Sequence, residues 1–350
     1  MKHFGSEQLN EFRTLGIDSG EEVPVKQYLS TGNRALDWAI TEKLDGGGYP
    51  VGRIVELFGD PSTAKSLLCG HLVTHAQKAG WWTLIDDTEG AMDPFFMQRL
   101  GVDLKSLLIM NSETVQGHFK RVSAFVNKVR SKDKETPILI VLDSLAALST
   151  DHEREKPEKV AKVDDDPEFP ALTFKAKDMS KAQIVKAGFR VLGLRFLKQN
   201  VLYVVTNHTI AQIGNTWGPK STTPGGGGTK FHASVRIQLK KGKGFTNDEG
   251  PTGHQIIATV VKNRCAPPFK QVTFNLFFDR GMTPESGTVD ILIRKGIVTE
   301  NRGWYTWLGE KDKKYRDSDL EAKIPEILAW IETKKETILE EERKDAEEKK

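Results

Sequence analysis

The chain has 350 residues, enough for one large domain with appendages or for two domains. Hydrophobic residues make up 38% and charged residues 28%, which excludes an intrinsically disordered chain and implies a packed core. The 51 basic and 48 acidic residues leave a net charge of +3, too balanced to point to a nucleic-acid partner without local patches. Two cysteines, Cys69 and Cys265, cannot build a disulfide framework, and they read as reduced thiols of a cytoplasmic protein. The start, MKHFGSEQLNEF, has no apolar stretch of signal-peptide length. No run of about 18 apolar residues occurs, so no membrane span and no membrane partner are expected.

Residues 1–27 are polar and are expected to form an arm with a short helix. From Tyr28 to Phe278, apolar runs alternate with helical stretches. The strand candidates are Arg53–Gly59 (RIVELFG), Trp81–Asp87 (WWTLIDD), Pro137–Ser144 (PILIVLDS) and Val201–Asn207 (VLYVVTN). Continuous apolar runs suit strands covered on both faces. Lys65–Ala79 and Ser180–Gln199 read as helices between them. The alternation predicts an α/β fold with a mostly parallel sheet flanked by helices.

Two segments break the rhythm. Ser149–Lys177 is charged, holds three prolines and reads as unstructured, and Ile210–Thr229 is rich in Gly, Thr and Pro. Loops of this length inside a compact domain are usually functional or disordered. Beyond Pro284 the pattern becomes a small α+β region ending in the mixed-charge tail LEEERKDAEEKK. The expected organisation is an arm at 1–27, a core at 28–283 and a small C-terminal domain at 284–350.

One short stretch carries chemistry. ELFGDPSTAKSLL, Glu56–Leu68, approaches the phosphate-loop pattern Gly-x-x-x-x-Gly-Lys-Ser/Thr. An apolar strand leads into it and a helix follows, so the backbone of Gly59, Asp60, Pro61, Ser62, Thr63, Ala64, Lys65, Ser66 and Leu67 would form an anion nest. Lys65 would reach the β- and γ-phosphates of a nucleotide, and Ser66 would hold magnesium through its hydroxyl. Asp143, at the tip of a second buried strand, would be the magnesium partner, or else an N-cap. Ala64 stands where the pattern has glycine. At positive φ an alanine there costs about 1–2 kcal/mol, and at negative φ it costs little.

The surrounding residues resemble the RecA recombinases over nearly the whole chain. Leu29–Ile40 with Gly46–Gly59 is similar to that family's entry into its phosphate loop. Asp87–Asp103 resembles the segment with its catalytic glutamate and adenine contacts, and Val260–Phe274 the strand that reaches a neighbour's nucleotide. Gly225–Leu239 looks like the end of the second DNA loop, and Gly303–Lys311 like the small C-terminal domain. Ala64 and the pair Asn207-His208 resemble the phage UvsX-like branch rather than the bacterial pattern.

The resemblance implies a RecA-like ATPase core and a DNA-dependent ATPase that uses ATP and Mg2+. Such a protein forms a helical filament on single-stranded DNA and exchanges strands with duplex DNA. Its partners would be DNA, further copies of itself, and single-strand-binding and mediator proteins. Among the catalytic positions, Glu89 would activate water, Lys65 would meet phosphate and His208 would sense the γ-phosphate. Lys262 and Arg264 would reach the adjacent protomer's ATP, in the manner of an arginine finger. Asp93 would meet the adenine by a polar contact and Phe96 by stacking, with one of Phe95 and Phe96 packed in the core. For DNA the resemblance implies Gly225, Gly226, Gly227 and Gly228 for close backbone approach, with Ser221, Thr222, Thr223, Lys220 and Lys230 as donors. Trp217 at a loop tip fits base stacking or a subunit contact. Phe231 matches the aromatic that links DNA loop to nucleotide. Lys175, Lys177, Lys181 and Arg190 are further cations for the DNA backbone. Two other classes fit parts of the pattern: a non-hydrolysing paralogue that assists a filament, and a ring-shaped DNA-unwinding motor on the same core.

Overall fold

Four continuous apolar runs form the middle of one nine-stranded sheet in the computed structural model, which describes residues 25, 27–154, 180–211, 221–223 and 226–348. The segment 1–24, most of the first long loop and much of the second lie outside the described residues.

The first elements are β1 (Tyr28–Leu29), α1 (Arg34–Thr41), β2 (Tyr49–Pro50), β3 (Ile54–Gly59), α2 (Lys65–Lys78) and β4 (Trp82–Asp87). They are followed by α3 (Pro94–Arg99), β5 (Leu107–Met110), α4 (Val115–Arg130), β6 (Ile138–Asp143) and α5 (Asp151–Arg154). The second half holds α6 (Ser180–Lys198), β7 (Val201–His208), β8 (Ile210–Ala211), β9 (Ser221–Thr222), α7 (Gly227–His232), β10 (Val235–Asn247) and β11 (Gly250–Asn263). Last come β12 (Gln271–Phe277), β13 (Gly281–Met282), α8 (Thr288–Arg294), β14 (Val298–Asn301), β15 (Trp304–Trp307) and α9 (Asp317–Glu348).

The large sheet runs β13-β12-β11-β10-β3-β7-β6-β4-β5. Its members from β10 to β5 are parallel, and the β10–β13 flank is antiparallel. The apolar runs are legible because both sheet faces are covered. Ile138 to Leu142 are all buried, their side chains dividing between two cores. One core packs α1 and α2 against the sheet, and the other packs α4 and α6. A third, smaller core joins Val289, Leu292, Trp307, Leu320 and Ile324 around α8, β15 and α9.

Polar side chains fix the entry to the core. Asn33 caps α1 by accepting from the Leu36 N–H at 3.0 Å, and its amide donates to the carbonyls of Thr283 and Ser286. Element boundaries fall within about one residue of those expected from the runs. The expectation of an unstructured 149–177 is corrected at its start. Ser149 accepts the Val115 N–H at 2.9 Å, and residues 151–154 form a helical turn. Thr150 and Glu153 brace that turn by hydrogen-bonding each other.

Candidate nucleotide and DNA site

The phosphate-loop candidate follows β3 at the carboxyl edge of the sheet, where open α/β sheets bind ligands. Gly59 is required by packing: a side chain there would lie 2.2 Å from the carbonyl oxygen of Leu239 on β10. Thr63 donates to the Asp60 carbonyl at 2.8 Å and closes the turn. Ser62 and Ala64 both have left-handed backbones, with φ of 60° and 68°. The open question about Ala64 is thereby answered: its φ is positive, which costs about 1–2 kcal/mol relative to glycine's freedom. Lys65 is buried and donates to the carbonyls of Gly59 (3.1 Å) and Asp60 (2.9 Å). Burial lowers its pKa, while Asp143, Glu89 and Asp60 act to raise it. Ser66 is exposed at the second position of α2. Hydroxyl and carboxylate oxygens such as those of Ser66 and Asp143 are the donors that magnesium prefers.

Three neighbouring strands add their last residues. β7 lies beside β3 with His208 opposite Gly59. Asp143 ends β6 and accepts from Thr206 at 2.5 Å. Glu89 follows β4, and its Oε1 accepts from the Ser144 hydroxyl at 2.6 Å and meets His208 Nε2 at 3.1 Å. The Ser144 hydrogen bond leads in holding the Glu89 carboxyl below its ordinary range; partial burial opposes it and the His208 hydrogen bond assists. An ionised carboxylate accepts hydrogen bonds only, so Glu89 can orient a water molecule. The Nδ1 of His208 is buried without a hydrogen-bond partner among the described residues.

Beneath this cluster lies a group that the sequence reading missed. Glu56 of β3 has no exposed surface. Its Oε1 accepts from Asn207 Nδ2 at 3.1 Å and from Thr229 Oγ1 at 2.7 Å. Its Oε2 takes Arg236 Nε, and that guanidinium also stacks on Phe58 at 4.7 Å. The signal was present in the run IVELFG, because a glutamate inside a strand covered on both faces must have partners.

The remaining expected residues are placed as follows. Asp93 caps α3 by accepting from the Phe96 N–H at 2.9 Å. Phe95 is 78% exposed, whereas Phe96 packs partly against the core, so Phe96 is the more buried of the pair. Asp93, Phe95, Phe96, Gln98 and Arg99 line a hollow of about 720 Å³. Lys262 lies on β11 opposite Arg236, and Arg264 sits one residue past the strand's end. The Lys262 ammonium donates to the carbonyls of Lys230 (2.9 Å) and Phe231 (3.0 Å) at the end of α7. Burial first, and then Arg264 and Arg236, bring its pKa down to about 8.

Among the residues expected to meet DNA, Ser221 and Thr222 form β9, which pairs antiparallel with β8, and Thr223 is buried. The glycine run has a packing cause that differs from the expected one. Side chains at Gly226 and Gly228 would each come within 2.6 Å of α6, at Ala182 and Val185 respectively. Gly227 is likewise crowded by Phe231, at 2.5 Å. Lys230 and Arg190 are exposed, and Phe231 is 61% exposed with Lys186 5.8 Å from its ring centre. Lys181 does not project freely: its ammonium donates to the carbonyls of Ala146 and Leu148. Trp217, Lys220, Gly225, Lys175 and Lys177 lie outside the described residues.

A family model described as the RecA N-terminal domain matches residues 2–283. The chain is 32% identical over 310 residues to a protein named Protein RecA from Leptospira meyeri, covering 89% of this chain and 72% of that one. It is 31% identical over 335 residues to a Protein RecA from Fusobacterium nucleatum, covering 95% and 80%. A Protein RecA from Rhizobium leguminosarum is 32% identical over 297 residues, covering 85% and 78%.

Proposed function

The chain belongs to the RecA family and is a RecA-type recombinase, and from that premise we propose that it hydrolyses ATP between protomers of a filament on single-stranded DNA. The observation that carries this reading is the convergence of Lys65, Glu89, Asp143 and His208 at the carboxyl ends of four adjacent parallel strands. Lys65 would trade its two loop carbonyls for phosphate oxygens. Glu89, held ionised by Ser144 and His208, would orient the attacking water or accept its proton. His208 would report phosphate to the segment that follows it, residues 210–229. Ser66 and Asp143 would hold magnesium, which when bound would neutralise phosphate charge.

Lys262 and Arg264 would face the nucleotide of the next protomer. Lys262 would have to leave the α7 carbonyls to do so, which would tie hydrolysis to assembly and to the position of α7. Phosphate-backbone contacts from Lys230 and Arg190 would give binding without sequence preference. Residues 1–27 would pack on a neighbour, and 284–350 would form the small terminal domain. Ala64 and His208 support a place in the phage UvsX-like branch, acting in a bacterial cytoplasm with single-strand-binding and mediator proteins.

The test is strand exchange between a single-stranded circle and homologous linear duplex, with ATP and magnesium. Joint molecules that depend on Lys65 support the reading. DNA-stimulated hydrolysis without joint molecules would make the protein a motor. Nucleotide binding without turnover would make it an accessory paralogue.

A further inference from the structure

Glu56 holds more than its arginine. Arg236 alone would balance its charge, yet two neutral donors also converge on the carboxylate. Each comes from an element that leads to a site. Asn207 ends the strand that carries His208, and its Oδ1 also accepts the His208 N–H at 3.1 Å. Thr229 lies on α7, directly after the glycine-rich segment and next to Lys230 and Phe231. Hydrogen bonds therefore form one polar path, Thr229–Glu56–Asn207–His208–Glu89, passing through the His208 backbone N–H, from α7 to the Glu89 carboxylate.

α7 has only six residues. Helices so short do not persist on their own, so tertiary ties fix its place. Two such ties are polar: the Thr229 hydroxyl on Glu56 at one end, and Lys262 on the terminal carbonyls at the other. Packing on α6 by Gly226 and Gly228 demands no hydroxyl at Thr229, where an apolar side chain of the same size would fill the space.

We propose that Thr229 and Glu56 are positioning residues that couple the seat of α7 to the end of the sensor strand, so that DNA on the adjoining segment sets His208 against Glu89. This rests on the RecA-type reading of the two sites. α7 is the two-state element. With the hydroxyl on Glu56, Asn207 and His208 are held in the arrangement seen here. With the hydroxyl released, Glu56 has one donor fewer and its carboxylate can shift, taking with it Asn207 and the His208 backbone that Asn207 holds.

The experiment measures ATP hydrolysis without DNA and at saturating single-stranded DNA, together with nucleotide affinity, for wild type, Thr229→Val and Thr229→Ser. Valine keeps the shape and removes the donor, and serine keeps the donor. The expected result is that Thr229→Val leaves the DNA-free rate and nucleotide affinity within about twofold of wild type and lowers stimulation by DNA roughly tenfold, in the range of ordinary site–site coupling. Thr229→Ser restores stimulation. Thr229→Ala also removes the donor, carries the same expectation, and stands in if valine prevents folding. Full stimulation in a folded variant without the hydroxyl overturns the proposal. So does a serine variant that loses stimulation as badly as valine. A wild type that DNA does not stimulate removes the RecA-type reading itself, whereas a stimulated wild type with an equally stimulated valine variant removes only the link.

Discussion

Glu56 on β3 and Asp86 on β4 are both fully buried in the same sheet, and they differ in their partners. Asp86 faces His118 Nδ1 at 2.5 Å and accepts the Ser112 N–H at 2.8 Å. His118 continues to the Tyr203 hydroxyl at 2.6 Å, and Phe119, Phe189 and Phe196 close around the pair. That network ends inside one core. Glu56 instead faces Arg236, and its other hydrogen bonds lead out to the candidate sites. An imidazole can give up its proton, whereas a guanidinium in a protein cannot. Removing the acid therefore leaves an obligatory buried cation in the Glu56 network and not in the Asp86 network.

The largest expected effect breaks that comparison if it fails. Glu56→Ala should cost about 3–5 kcal/mol, because it strands a nearly buried guanidinium. Asp86→Ala should cost about 1–3 kcal/mol, the range for unsatisfied neutral groups, because an imidazole partner, unlike a guanidinium, does not oblige a buried charge. Urea unfolding of both variants gives the two values, and equal losses would contradict the distinction drawn from the partners.

The second effect concerns the excess of cations beside Glu56. Lys262→Ala together with Arg264→Ala should lower DNA-stimulated hydrolysis at least about a hundredfold. Hydrolysis by dispersed protomers should change little. An equal fall in both states would rule out action on a neighbour's nucleotide.

The pH dependence sharpens the contrast between the two regions. The Lys262 pKa of about 8 lies below its ordinary value, so the folded protein releases this proton first. Its charged form disfavours folding below about pH 8, and that penalty fades as pH rises toward the ordinary lysine range. Activity should move the opposite way: kcat/KM should fall above about pH 8 as the ammonium is lost. Lys262→Arg should push that alkaline limb upward, and an unmoved limb would assign it to another group. Asp86 runs in the acid direction. Burial pushes its pKa up, but hydrogen bonds from His118 and Ser112 outweigh burial and leave it lowered. Its contribution is present above the ordinary aspartate range and is lost as pH falls below it. Asp86→Asn should flatten the acid limb of the stability profile.

The smallest effect is at the phosphate loop. Ala64→Gly relieves a left-handed alanine and should stabilise the fold by about 1 kcal/mol. Thermal unfolding should rise by a few degrees at most, with hydrolysis changed only modestly. A large gain in turnover would mean that Ala64 disables the loop.

The two buried acids also show what the sequence made legible. The strands were readable because burial on both faces leaves continuous apolar runs such as ILIVL. The phosphate loop was readable because its residues are adjacent in the chain. Glu56 was missed although a charge inside an apolar run marks it, and its partners could not be read, since they stand 151, 173 and 180 residues away. Only the sheet order brings them together. The backbone angle of Ala64 is likewise set by the loop's closure and not by residue type. Gly226 and Gly228 were assigned to DNA because composition alone does not reveal that α6 crowds them. Lys181 counted as a free cation because its two carbonyl partners are more than 30 residues away, at separations of 35 and 33.

The most direct test is ATP hydrolysis by the wild type and Lys65→Ala, each with and without single-stranded DNA. The account predicts turnover in the wild type that DNA stimulates strongly, and none above background in Lys65→Ala, which should remain folded. Turnover in Lys65→Ala equal to wild type, or a wild type indifferent to DNA, would contradict it.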